Sequence, residues 1–515
     1  MSKITNELLK KIGKGTIIIL MGTSAGLLFG LVNRIIIARY ATESQFGIYS
    51  LALAVLNIFV LIASFGLQDG TARYIAYFRS KDDTGNAQRT VSASIQFAAI
   101  ASVFLCIILF FTSDIIAIRI FHDLDIIQPL KIFAFCIPPL VLINIFISIF
   151  RGFDRVHEKV YFQDIMINML FLLLLLPIFL LHLSLTWIFC AFLISASISA
   201  VILVLYTTWK LPMRIILRQR INSVGKQLYF FSFPLVGVSA LQIIITYTDT
   251  LMLGYFKTSD VVGFYNAACP IALIIEIPMG ALLFIYAPII AGLYAKKSTA
   301  EIGKIYSVIT RWIFLATFPL FLIFFIFPET IISLFFGTNY LPASQALQVL
   351  SLGFIIVNLL GPNGTTLMTI GRTRFLLWAS AAAAGMNIIL NIALIPHWGM
   401  LGASMATAIS LSVHCLIRHI KVQQVLKVNS ITKNFTKSAL ISTGLILAIS
   451  FLVRSFLDTT LWILSILFIL FYAVYAVVSL FNKSFDEEDI IMLAAIENWV
   501  GVNFISIKKM LKKLL

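Results

Sequence analysis

"FGIYSLA", Phe46–Ala52, and "VGFYNAA", Val262–Ala268, are one short phrase written twice, and each opens an apolar run after a short polar connection. A nearly constant offset then pairs Asn144 with Asn363, Gly152 with Gly371, Arg155 with Arg374, Asn168 with Asn387 and Pro177 with Pro396. Amides, glycines, prolines and arginines are uncommon in apolar runs, so matches of these types at one spacing point to an internal duplication.

What is duplicated follows from composition. The chain has 515 residues, 60% hydrophobic and only 12% charged, with a mean hydropathy of +1.01. A soluble protein of this length needs more polar surface than that. Apolar runs long enough to cross a bilayer, roughly 20 residues each, recur along the chain, and the sequence predicts about fourteen membrane helices. Their lengths are helical and lack the alternation of a barrel strand. The first run, Gly15–Ile37, is long for a signal-peptide core and has no convincing cleavage site, so it is expected to be a permanent first helix. Six helices separate the two copies. Six is even, so both copies enter the membrane from the same side and form parallel repeats related by an axis along the membrane normal. The fold class is therefore an all-α integral membrane protein: two parallel six-helix repeats followed by two further helices.

The expected organisation is an N-terminal lobe over residues 1–209, a charged linker at 210–227, a C-terminal lobe at 228–422, two more spans within 423–483, and an amphipathic tail at 484–515. The tail starts acidic, "SFDEED", and ends basic, "KKMLKKLL", with apolar positions at helical spacing, which suits a helix lying on the membrane surface. The net charge of +16 invites a nucleic-acid reading. Its distribution argues against one. With the N-terminus inside, all Lys and Arg except Arg34, Arg39, Arg119, Lys131, Lys257 and Arg454 fall on the cytoplasmic side, leaving a multi-pass cell-membrane protein with both termini cytoplasmic. The five cysteines sit in apolar runs without CxxC or histidine partners, so no disulfide framework, metal site or cofactor is expected. Connections on the outer side are only a few residues long, which leaves no room for a catalytic domain.

Charges inside spans mark candidate sites, because a charged group facing lipid costs several kcal/mol. Arg34 lies inside the first predicted helix, Asp249 inside the seventh, and Glu276 near the middle of the eighth, beside Pro278. Under the repeat offset Asp249 corresponds to Asn33, so Arg34 and Asp249 lie at similar depth and are expected to meet across a cleft. Asp69 and Arg73, four residues apart with the acid first, form a favourable helical pair where the second helix leaves the membrane. Arg73 either anchors that exit or receives an anionic headgroup. Arg311 and Arg39, near span ends, suit interface anchoring as well as ligand contact.

Four stretches carry a family resemblance: "IIIARYATESQFGIYSLALAVLNIFVLIASFGLQDGTARYIAYF" (Ile35–Phe78), "DTLMLGYFKTSDVVGFYNAA" (Asp249–Ala268), "FFGTNYLPASQALQVLSLG" (Phe335–Gly353) and "NIILNIALIPHWGMLGASMATAIS" (Asn387–Ser410). The chain resembles the Wzx-type polysaccharide-biosynthesis flippases of the multidrug/oligosaccharidyl-lipid/polysaccharide (MOP) exporter superfamily, over about Thr16 to Val422. That resemblance implies a MATE-like pair of six-helix lobes opening alternately around a cavity, no enzymatic activity, monomeric action, and a polyprenyl-diphosphate-linked glycan as cargo, with membrane lipids around it. Arg34, Arg73 and Arg311 would then attract the diphosphate, and Asp249 and Glu276 would respond to H+ or Na+ or orient the sugars. Two other readings stay open: a cation-coupled multidrug antiporter of the same superfamily, and a membrane glycosyltransferase or polymerase.

Overall fold

The structure, a computed structural model, describes residues 3–64, 66–155, 157–211, 241, 245–427, 433–456 and 460–482, with side chains from Gly22 onward except at 284, 285, 433, 434 and 461. The linker at 210–227, beyond its first two residues, and the tail at 484–515 lie outside the described residues. Among the described residues every regular element is helical, as lipid demands of a chain that must satisfy its own backbone polar groups. The described residues fall into two compact units: Met1–Ala267 with Asn391–Met400, and Ala268–Leu390 with Leu401–Leu515.

The first unit begins with α1 (Lys3–Tyr40) and α2 (Glu43–Ser64). Gly66, in the left-handed region at φ 65°, precedes α3 (Leu67–Arg79), a conformation that glycine adopts without a Cβ penalty. A separate helix thus carries the chain on past the end of the apolar run. Polar side chains end an apolar run without ending a helix, and α3 is held by packing: Gly152 lets α6 approach so closely that a Cβ there would lie 2.7 Å from Ile75 Cβ. α4 (Thr84–Ile115) is capped by Asp83, which accepts from Asn86 N at 2.9 Å and from Asn86 Nδ2 at 2.6 Å. Those bonds stabilise the carboxylate and hold the Asp83 pKa below its ordinary value. α5 (Ile127–Ala134) and α6 (Ile137–Gly152) follow. A short α7 (His157–Lys159) runs through a π-wound segment, Val160–Met166, into α8 (Ile167–Leu180). α9 (Thr186–Lys210) packs Phe189 on Phe133 and Tyr49, ring centroids 5.2 and 6.0 Å apart, building an aromatic core with α2 and α5. A helix at 245–256, α10, carries Asp249, and the start of α11 (Ser259–Leu273) closes the unit.

The second unit is built on α12 (Ile277–Ala295) and α13 (Thr299–Ile326), whose Tyr286, Ile302, Tyr306, Ile309 and Ile313 share a core with Leu367. α14 (Pro328–Phe336), α15 (Ala343–Leu359), α16 (Asn363–Thr369), α17 (Thr373–Trp398) and α18 (Met400–Leu426) follow. The last two helices, α19 (Lys433–Phe456) and α20 (Leu461–Phe481), lean on α13. Phe435 meets Phe314 and Tyr475 meets Phe318, at centroid distances of 4.9 and 5.2 Å, while the Tyr472 hydroxyl donates to Ala316 O.

The duplication has a structural counterpart. The fourth helix of each copy is bent, by 45° between Leu124–Ala134 and Ile137–Gly152, and by 41° between Ala343–Leu359 and Asn363–Thr369. The chemistry of the two bends differs: Pro138 and Pro139 start α6, whereas Gly361 at φ 72° and Pro362 separate α15 from α16. Among the described residues ten helices are long and apolar enough to cross a membrane, twelve when each bent pair is one span. The expected first span includes side chains outside the described set, and residues 228–240 of the expected seventh lie outside the described residues.

Candidate functional site

Gly22, Gly26 and Gly30 recur every fourth residue and so line one face of α1. They lie on Val160, Asp164 and Asn168, which have the same spacing. A Cβ at Gly26 would sit 2.7 Å from Asp164 O, and one at Gly22 only 1.9 Å from Val160 Cγ1. Close backbone approach of this kind is how small residues bind helices together in lipid. It also brings polar groups into reach. Thr23 Oγ1 donates to Asp164 Oδ2 at 3.0 Å, Lys159 Nζ lies 3.8 Å from the same oxygen, and Asn33 Nδ2 donates to Asn168 O at 3.0 Å. Asp164 sits in the π-wound segment, where the ladder is interrupted, and its carbonyl accepts from Asn168 Nδ2 at 2.9 Å.

The second copy repeats the design with the charge on the other helix. Asp249, only 4% exposed, accepts from Asn391 Nδ2 at 2.7 Å through Oδ1 and from Tyr265 Oη at 2.5 Å through Oδ2. In each copy a polar side chain therefore ties the first helix to the fifth. A carboxylate bonded on both oxygens is a held group.

Arg34 is half-buried on α1, with its charge near Tyr49 and Tyr247. Arg39 is exposed at the end of α1. Asp69 and Arg73 are both exposed on α3. Asp69 pairs with Arg151 at 3.2 Å, since packing of α6 on α3 sets that arginine beside it. Arg79 in turn reaches Asp154 at 3.0 Å and Gly152 O at 2.7 Å.

In the second unit Glu276 is half-buried in a single 3₁₀ turn, Ile274–Glu276, between α11 and α12. Pro278 lacks an amide hydrogen and so breaks the ladder here. Ile275 O instead accepts from Asn358 Nδ2 at 3.2 Å. Arg311 is buried within α13, 6% exposed. Sequence reasoning missed Asp164, Asn391, Tyr265 and Arg418. Asp164 was detectable as a lone acid at the start of an apolar run opposite three spaced glycines. By charge distribution Arg418 reads as one of the cytoplasmic basic residues, yet α18 continues two turns further, to Leu426.

The model of the family described as polysaccharide biosynthesis protein matches residues 12–283, and the MatE model matches residues 234–393. A putative O-antigen transporter of Shigella flexneri is 23% identical over 406 residues, covering 77% of this chain and 94% of that protein. An uncharacterized membrane protein of Methanocaldococcus jannaschii is 30% identical over 34% of this chain, and the probable low-salt glycan biosynthesis flippase Agl15 of Haloferax volcanii is 25% identical over 33%. These two matches span only 34% and 36% of those relatives. Among solved structures, the lipid II flippase MurJ in an inward closed conformation aligns with a TM-score of 0.72 at 15% identity, covering 92% of this chain and 99% of that one. An inward-facing multidrug resistance MATE family transporter aligns with a TM-score of 0.65 at 15% identity, over 78% and 94%. The fold is that of the MOP superfamily; the Shigella and Haloferax relatives are named a transporter and a flippase, and the two solved structures are a flippase and a transporter.

Proposed function

The chain belongs to the polysaccharide biosynthesis protein family, and from that premise we propose that it moves a polyprenyl-diphosphate-linked oligosaccharide from the cytoplasmic to the outer leaflet by alternating access, for polysaccharide or glycoconjugate biosynthesis. The family match over more than half of the chain carries this reading. The names of the Shigella and Haloferax relatives support the same cargo class. A diphosphate needs cations in a hydrated site, and Arg34, Arg73 and Arg311 are the side chains assigned to attract it. Asp249 and Glu276 respond to H+ or Na+ or orient the sugars, and Arg39 and Asp69 act at the periphery. The protein works as a monomer in the cell membrane with both termini cytoplasmic.

A cation-coupled multidrug antiporter is the second reading, favoured by the MatE match over residues 234–393. A leaflet-sidedness assay separates the two. The chain is reconstituted in vesicles with a defined lipid-linked oligosaccharide, with and without an H+ or Na+ gradient, and the glycan exposed on each face is measured. Translocation of the glycan is expected. Efflux of a cationic dye with no movement of the glycan would replace the flippase with the antiporter.

A further inference from the structure

Arg418 stands on α18, two turns inside the helix end at Leu426, and is half-buried. Its position is made by an absent side chain: a Cβ at Gly364, on α16, would lie 2.9 Å from Arg418 Nη1. The guanidinium is thus seated against a glycine backbone. Among the described residues its one hydrogen-bond partner is Cys415 Sγ, at 3.0 Å from Nη2, and its Nε is buried with none. Asn363 Nδ2 donates to Cys415 O at 3.4 Å and ties the same turn of α18 to α16.

A thiol sulfur is a weak acceptor, whereas a guanidinium offers five donors in a planar fork that matches two oxygens of a phosphate. The charge of Glu276 is near enough to act on Arg418, yet the two form no ion pair among the described residues. The guanidinium is therefore placed, partly dehydrated and short of oxygen acceptors. A fixed cation with free donors inside a membrane span is costly unless something anionic uses it.

We propose that Arg418 is an anion-binding group of the second unit, taking a phosphate or diphosphate through its Nη donors, with the nearby charge of Glu276 opposing the anion. This inference rests on the diphosphate-cargo reading above and adds a residue to it. Gly364 and Cys415 are positioning residues that hold the fork. A phosphate dianion satisfies donors that the thiol leaves open.

The test uses the full chain in detergent, titrated with inorganic pyrophosphate and separately with polyprenyl diphosphate, with binding followed by calorimetry. Arg418→Gln should weaken binding at least about tenfold, the loss expected for a charge-assisted pair, with the unfolding midpoint unchanged. Arg418→Lys keeps the charge but loses the fork and should fall between wild type and Arg418→Gln. Glu276→Gln should strengthen binding several-fold, and that gain should vanish when it is combined with Arg418→Gln. A purely structural arginine does not produce opposite signs that cancel in the double variant. If Arg418→Gln lowers the midpoint, Gly364→Ala serves in its place, displacing the guanidinium with the arginine still present, and should also weaken binding. Competition between the two probes assigns the anion to a lipid headgroup, and binding of pyrophosphate alone assigns it to free phosphate; either keeps the site. Equal affinity in wild type, Arg418→Gln and Gly364→Ala overturns the inference and leaves the flippase reading standing. A wild-type chain that neither binds diphosphate nor moves lipid-linked oligosaccharide removes both.

Discussion

Asp249 shows how much of a site one residue carries and how little of its surroundings the chain order discloses. Its presence in an apolar run marks it from sequence alone, because an acid there must be partnered or hydrated. Its partners are another matter. Tyr265 is 16 positions away and Asn391 is 142, and nothing local connects them to it. Replacing Asn391 by Ala leaves a buried carboxylate oxygen short of a donor, and stability should fall by about 1–3 kcal/mol. Tyr265→Phe should cost a similar amount, and each is read from the unfolding midpoint of the solubilised chain. No change in either variant would mean that water replaces the lost donors and that Asp249 is not sealed. Arg418 is the converse case. Its residue type sits among neighbouring basic residues and reads as positive-inside charge, and only its seat on Gly364 and Cys415 separates it from them.

At the scale of elements, the phrase that discloses the duplication also makes a contact. Gly47, from the first copy, and Gly263, from the second, face each other where α2 crosses the start of α11. A Cβ on Gly47 would lie 1.7 Å from Ser259 O, and one on Gly263 2.2 Å from Glu43 O. Backbone cannot yield as a flexible side chain does, so Gly47→Ala should cost roughly 1–3 kcal/mol, the penalty of overpacking. Gly292→Ala is the control, since nothing lies within 4 Å of a Cβ there. Equal midpoints for the two variants would show that α2 and α11 do not approach this closely. Among the described residues, helix existence was legible, because apolar length is a local property. Helix ends were less so: α3 runs on to Arg79 and α18 to Leu426, held by packing that hydropathy does not register. The similar bends of 45° and 41° were also hidden, since proline and glycine mark a break without stating its angle.

For the whole molecule, the charge distribution makes a prediction about sidedness. Lys81, on the connection between α3 and α4, belongs to the basic set, and Ser184, between α8 and α9, to the other. In a cysteine-free background, a cysteine at Lys81 should react with an impermeant maleimide only from the cytoplasmic face, and one at Ser184 only from outside. Labelling of both positions from one face would invert or dismantle the expected topology. The sequence by itself determined that this is a helical membrane protein built by duplication, and it singled out most of the charges that lie inside spans. Hydropathy, span length and repeat spacing are properties of neighbouring residues, or of fixed offsets along the chain. Only the tertiary structure decided which groups meet: Asp249 with Asn391, Asp69 with Arg151, Asp164 with Thr23, and Arg418 with the backbone of Gly364. Those distances depend on how far apart helix axes pack and on which face each helix turns inward, and both are set by contacts between segments remote in the chain.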